Sequence, residues 1–62
     1  MKRLKFKYYV DIAYLDSNNE HIQLEYIETL SYNANDAKYD AENYISRFPN
    51  ITHVTILEVH RA

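Results

Sequence analysis

The sequence predicts a two-layer α+β domain, in which one helix packs on one face of a three-stranded antiparallel sheet. Two observations predict it. Three segments carry the apolar–polar alternation of strands, and one segment between the second and third carries the 3.6-residue period of a helix. The element order is therefore ββαβ. The chain of 62 residues is short for a globular protein, so we expect a single domain over residues 1–62.

The first strand is predicted over residues 4–15, where one parity is uniformly apolar and the other is mixed, with Lys5, Lys7, Tyr9, Asp11, Ala13 and Leu15. Side chains of one parity in a strand lie on one face of the sheet. The face with the stronger apolar character consists of Leu4, Phe6, Tyr8, Val10, Ile12 and Tyr14. This long strand is the natural centre of the sheet.

A second strand is predicted over residues 21–32, after a cluster of turn-forming residues at 16–20. A three-residue loop at 17–19, with Asn19 in the left-handed region, would bring the apolar faces of the two strands together. The resulting facing pairs are Tyr14 with Ile22, Ile12 with Leu24, Val10 with Tyr26, Phe6 with Leu30 and Leu4 with Tyr32. This register also sets Asp11 opposite Glu25, a like-charge pair that a bulge near residues 27–28 would relieve.

The helix is predicted over residues 35–49. Its apolar stripe is formed by Ala37, Ala41, Tyr44, Ile45 and Phe48. Asn35 is the expected N-cap, and Asp36 and Arg47 complement the helix dipole in the first and last turns. Pro49 marks the end of the helix, because the residue before a proline disfavours the α conformation.

The third strand is predicted over residues 51–60 and carries apolar residues on both parities. A right-handed crossover places it beside the first strand, which gives the strand order 2-1-3. The helix then covers the face formed by Leu4, Phe6, Val10, Ile12, Leu24 and Leu30. The other face has nothing in the chain to cover it.

Composition and motifs argue against several classes of function. The chain has no cysteine, no glycine-rich phosphate loop and no nucleophile elbow, so we expect no enzyme, no cofactor and no small-molecule substrate. His21, His53 and His60 do not converge in the predicted sheet, so no metal site is expected. No apolar run approaches the roughly 20 residues of a membrane span, and no signal peptide follows Met1. We therefore expect a cytoplasmic protein without a membrane partner.

The uncovered face is the first candidate functional surface. In the predicted register it gathers Tyr9, Ala13, Leu15, Ile27, Leu57 and Val59. A clustered apolar surface of this kind indicates a docking site. The sequence therefore predicts a protein-interaction module that binds another protein or forms a homo-oligomer, most simply a dimer, through this face or through an edge strand.

A basic pole is the alternative candidate. Positive charge collects where the first strand begins and the third ends, at Lys2, Arg3, Lys5, Lys7, His60 and Arg61. Such a pole beside tyrosines can contact phosphates and stack bases, which gives nucleic-acid binding as the alternative function. A free-standing chain this small and this rich in Lys, Asn, Ile and Tyr is typical of an accessory or inhibitor protein of a phage or mobile element.

Overall fold

The computed structural model describes residues 3–62 and has the predicted element order. Strand β1 spans Phe6–Asp16, β2 spans Ile22–Ser31, helix α1 spans Ala34–Ile45 and β3 spans Ile51–Arg61. The three strands form one antiparallel sheet in the order β2-β1-β3. The predicted α+β class, ββαβ layout and strand order are confirmed.

The core lies between α1 and the central strand. Val10 and Ile12 of β1 are 0% and 1% exposed, and Tyr8 and Tyr14 are buried beside them. The helix contributes Ala37, Ala41 and Ile45. Two alanines at a spacing of four residues let the helix axis come close to the sheet, so that the large side chains of β1 fill the space between the layers.

The turn between β1 and β2 is one residue longer than predicted. Leu15 pairs with Ile22 and Phe6 with Ser31, and the pairing between them is uninterrupted. The Asp16 carbonyl accepts from the N–H groups of Asn19 and Glu20, both at 3.0 Å. Its carboxylate accepts from the Asn18 N–H at 2.9 Å. Glu20, with φ of 58°, takes the left-handed conformation predicted for Asn19.

This longer turn reverses the two faces of β2, because side chains alternate with a period of two. Leu24 and Leu30, predicted under the helix, are 71% and 63% exposed on the opposite side. Ile27, predicted on the uncovered face, packs against the core. Asp11 now faces Tyr26, so the predicted Asp11–Glu25 clash does not arise. The other side chains of β2 on the helix side are polar: Gln23, Glu25, Thr29 and Ser31.

Leu4 was also predicted under the helix, but it lies before β1 and is largely exposed.

The helix is shorter than predicted at its C-terminal end. Its N-cap is Asn33, not Asn35, and the Asn33 side chain accepts from the Asp36 N–H at 2.9 Å. The helix ends at Ile45, where Ser46 is the C-cap, and Arg47 follows outside the last turn. The chain then tightens: the Arg47 N–H donates to the Tyr44 carbonyl and the Phe48 N–H to the Ile45 carbonyl.

Phe48 therefore lies beyond the helix and is 39% exposed, packing edge-on against Tyr44 with ring centroids 5.5 Å apart.

Two irregularities in β3 explain why its apolar residues occupy both parities. The register against β1 shifts between Ala13 and Leu15, where His53 has φ of 54°, and again between Asp11 and Ile12, beside Leu57. Each extra residue reverses the alternation that follows it. Consequently Ile51, Val54, Ile56 and Val59 all pack against the core. The prediction that Val59 lies on the uncovered face is wrong for this reason.

Three hydrogen bonds fix the helix and the hairpin turn. The Ser31 hydroxyl, buried on β2, donates to the exposed Asp40 carboxylate of α1 at 2.6 Å. At the other end, Asn50 donates from its side chain to Asp16 at 3.1 Å and accepts from the Ser17 N–H at 2.8 Å. Hydrogen bonds from the Asn18 backbone and the Asn50 side chain hold the pKa of Asp16 below its ordinary value.

Within residues 3–62, α1 falls short of the length and hydrophobicity that a membrane-crossing helix requires.

Candidate interaction surface

The side of the sheet turned away from α1, called the open face below, exposes a cluster of large apolar side chains. No helix or strand of the described chain lies on it. Five large apolar side chains on this face are between 56% and 71% exposed: Ile22, Leu24, Tyr26, Leu30 and Leu57. Folding alone does not explain such a cluster, because most other large apolar residues of the sheet are buried or half-buried.

The open face extends across all three strands. Leu24 and Tyr26 of β2 and Leu57 of β3 surround a shallow depression beside Asp11 of β1. Tyr9 packs edge-on against Tyr26, with ring centroids 5.5 Å apart and ring planes at 84°. Rings in this geometry attract each other and hold a fixed orientation. The surface is therefore continuous and has at least one rigid aromatic pair.

The residues predicted for this surface divide into two groups. Tyr9, Ala13 and Leu15 share its face on β1 and are half-buried, and Leu57 is exposed there. Ile27 and Val59 belong to the core side instead.

Sequence reasoning missed the side chains that β2 contributes to the open face: Ile22, Leu24, Tyr26 and Leu30. The predicted Asp11–Glu25 clash was a usable signal against the shorter turn, because a shift of one residue removes it and also turns these side chains outward.

Charged groups of both signs lie on the open face. Lys7 Nζ is 3.0 Å from Glu28 Oε1, and this contact raises the pKa of Lys7. His60 Nε2 is 2.9 Å from Asp11 Oδ2 and 3.5 Å from Glu58 Oε2. Asp11, Glu58 and His60 offer three potential ligand atoms within 4.8 Å of one another, all on solvent-accessible side chains. The sequence does not reveal this cluster, because it depends on the register between β1 and β3.

The cations of the predicted basic pole are engaged with neighbouring side chains. Arg3 and Lys5 lie over the Tyr32 ring, at 4.2 and 5.1 Å from its centroid. Arg61 lies 3.7 Å from the centroid of Phe6. Cation–π contacts of this kind are worth about 0.5–1 kcal/mol at exposed sites. A nucleic-acid phosphate would compete with these contacts.

The remaining residues of the predicted basic pole are Lys2, Lys7 and His60. Lys7 and His60 are paired with acidic groups as described above, and Lys2 lies outside the described residues.

A second surface lies on the helix side of the sheet, between the C-terminal half of α1 and β2. It is an open groove of about 640 Å³. Its apolar lining is formed by Ile27, Tyr44, Ile45, Phe48 and Ile51, and its remaining lining by Glu25, Tyr26, Glu28, Thr29 and Asp40. Tyr14, buried next to this groove, has its pKa raised by burial and by a hydrogen bond to Glu25.

The chain matches no protein-family model, no curated protein and no solved structure.

Proposed function

We propose that the protein is a cytoplasmic, non-catalytic interaction module that forms a homodimer by packing the open faces of two copies together. The observation that carries the proposal is the cluster of five large apolar side chains, each more than half exposed, on a face that the chain leaves uncovered. A second copy supplies an equally flat and equally apolar surface. In a two-fold dimer the same patch serves both partners.

The dimensions of the molecule support a missing layer. Its accessible surface is 4848 Å², against roughly 4200 Å² expected for a monomer of this mass. The radius of gyration is 12.6 Å, against about 10.6 Å for a compact domain of this length. The Cα positions extend over 46 × 19 × 13 Å, so the molecule is a thin slab. Stacking two slabs brings the assembly closer to the compactness of ordinary globular proteins.

The energetics favour such stacking. Full burial of a Leu or Ile side chain is worth about 1.5–3 kcal/mol. Leu24 and Ile22 are 71% and 69% exposed, so most of the free energy of burying these side chains becomes available only when the open face is covered. Five such side chains on each copy are enough to offset an association cost on the order of 4–15 kcal/mol. Dimerisation would also enlarge the hydrophobic core, which is small in a chain of this length.

Charge on the open face is compatible with a second copy. Lys7 and Glu28 already neutralise each other, as do His60 and Asp11 when the imidazole is protonated. Glu58 shares the same imidazole with Asp11, so the face carries charges of both signs and only a small excess of negative charge, which is a weak barrier to a second copy.

The test is the solution mass of the protein and of matched variants, measured by analytical ultracentrifugation over a range of concentrations. We expect twice the chain mass for the unmodified protein, and one chain mass for Leu57→Asp. Tyr39→Asp is the matched control, because Tyr39 is 68% exposed on α1, away from the open face. It should remain a dimer. An unmodified protein that stays monomeric at millimolar concentration would contradict the proposal.

Two narrower ideas remain proposals from sequence. The composition supports a role as an accessory or inhibitor protein of a phage or mobile element. The basic pole supports nucleic-acid binding as the alternative, and that binding would weaken steeply with salt and with Lys5→Glu. The open face is the stronger basis for a function, because its large apolar side chains are more than half exposed, whereas Arg3, Lys5 and Arg61 already stack on aromatic rings.

A further inference from the structure

We infer that the free edge of β2, together with the groove between β2 and α1, binds an extended basic peptide as a fourth strand of the sheet. The groove lies on the helix side, opposite the open face, so the inference does not rest on the proposed dimer. Strand addition supplies main-chain hydrogen bonds for affinity, and a neighbouring groove supplies side-chain selectivity.

The two edges of the sheet differ in how well they can accept another strand. The edge strand β3 contains two register shifts, near His53 and near Leu57. Bulges of this kind twist an edge away from regular pairing and are a common protection against strand addition. The edge strand β2 pairs with β1 over ten consecutive residues without a shift. It also contains no proline, no lysine and no bulge, and its charged residues, Glu25 and Glu28, are both acidic, so they disfavour an acidic strand and favour a basic one.

The groove beside this edge lies where a short helix packs on a longer strand. Helix α1 begins close to the end of β2, where Asp40 contacts Ser31, and the chain after it enters β3 at Ile51. A helix of 12 residues is about 18 Å long, whereas a strand of ten residues is about 33 Å long. The helix is therefore shorter than β2, and a groove remains beside the half-buried Ile27, between β2 and the C-terminal half of α1.

The groove has an apolar floor and an acidic border. Ile27, Ile45 and Ile51 form the floor, and the Tyr44 and Phe48 rings form one side. Glu25 and Asp40 border it, and Glu28 lies on the strand edge. The residues described as lining it include no lysine, arginine or histidine. A ligand that fits this groove presents an apolar side chain to the floor and cationic side chains on either side.

These features define the partner as a short extended peptide. Alternate side chains of an added strand point to the same face. The positions that face the groove therefore read basic–apolar–basic. The intervening positions face the opposite side of the sheet and are kept as Thr in the probe, because this β-branched residue favours strands. Lys or Arg at the outer positions reaches Glu25 and Asp40 on the two sides of the floor.

The probe is a fluorescently labelled peptide, Thr-Lys-Thr-Leu-Thr-Arg-Thr, titrated into the full-length protein. We expect saturable binding, with amide chemical-shift changes along the edge of β2 and the C-terminal half of α1. The peptide Thr-Glu-Thr-Leu-Thr-Glu-Thr should not bind, since it would add negative charge to an acidic groove. Tyr44→Lys, which places a cation in the groove, should weaken binding by at least about tenfold, or 1.4 kcal/mol.

The matched control is Tyr39→Lys, which makes the same substitution on the same helix outside the groove. Its affinity should equal that of the unmodified protein. Equal affinity of the Tyr44→Lys variant, or shift changes confined to the open face, would overturn the inference. So would pairing of β2 with β2 of a second copy, detected as intermolecular contacts between these strands, because the edge would then be occupied.

The peptide test is separable from the dimer test. Leu57→Asp should abolish dimerisation and leave the peptide affinity unchanged, since Leu57 lies on the opposite face of the sheet. Peptide binding by a protein that never dimerises would contradict the proposed function alone. Dimerisation without peptide binding would contradict this inference alone.

Discussion

The covered and open faces of the sheet obtain their apolar side chains from different strands. Under the helix they come chiefly from β1 and β3, with Val10 and Ile12 completely buried and Ile27 as the one large apolar residue from β2. On the open face the larger ones come chiefly from β2, where Leu24 and Tyr26 are mostly exposed. The hydrophobicity of a segment therefore does not decide whether it is buried in this protein. The register that orients the segment does.

The polar side of β2 is the other half of this difference. Thr29 and Ser31 are buried under α1, and their hydroxyl groups are 3.1 Å apart. Ser31 also donates to Asp40 on the helix. Buried hydroxyls need such partners to offset their loss of water. The covered face is thus held by hydrogen bonds along β2 and by packing along β1, whereas the open face retains its apolar surface for association.

The largest expected difference between the faces is in core stability. Ile12→Ala removes a fully buried side chain and should lower the free energy of unfolding by about 2–5 kcal/mol. Leu24→Ala, a similar truncation on the open face, should change that of the monomer by less than about 1 kcal/mol. Urea denaturation at low protein concentration, in the Leu57→Asp background, measures both. A loss at Leu24 equal to that at Ile12 would mean that the two faces are equally buried.

A smaller effect is expected from the buried hydroxyl that fastens the helix to β2. Ser31→Ala should cost about 1 kcal/mol, less than a fully buried hydrogen bond to a charged group, because Asp40 is exposed and regains water. A double-mutant cycle with Asp40→Ala isolates the contact, and a coupling energy near zero would show that the two side chains do not interact.

The smallest effect is a pH dependence at the hairpin turn, which sets the two faces. The folded state lowers the pKa of Asp16 through the Asn18 N–H and the Asn50 side chain. The stabilisation is therefore complete above the unfolded pKa of about 3.9, and it is lost as pH falls through the folded value. Asp16→Asn should flatten the stability profile in that range. NMR titration of the Asp16 carboxyl group tests the shift, and an ordinary pKa would contradict it.

The sequence was sufficient for the architecture and insufficient for the register. Periodicity fixed the element order, and the alternation of β1 identified its buried side correctly, with Tyr8 to Tyr14 in the core. The predicted length of the turn was wrong because it depends on hydrogen bonds made by Asp16, which residue propensities do not encode. The prediction for Val59 was wrong because apolar residues on both parities indicate either two apolar faces or a bulge, and the sequence does not distinguish between them. Asn33 and Asn35 are equally good caps by type, and only the fold distinguishes them.

The length of the Asp16–Glu20 turn decides which side chains of β2 face the helix. Loss of one codon there would rotate every β2 side chain by half a turn and carry Leu24 and Leu30 inward. The resulting protein would have a more apolar core and a more polar open face, and we expect it to be monomeric. We therefore expect deletion of one residue in this turn to abolish self-association without any substitution on the open face.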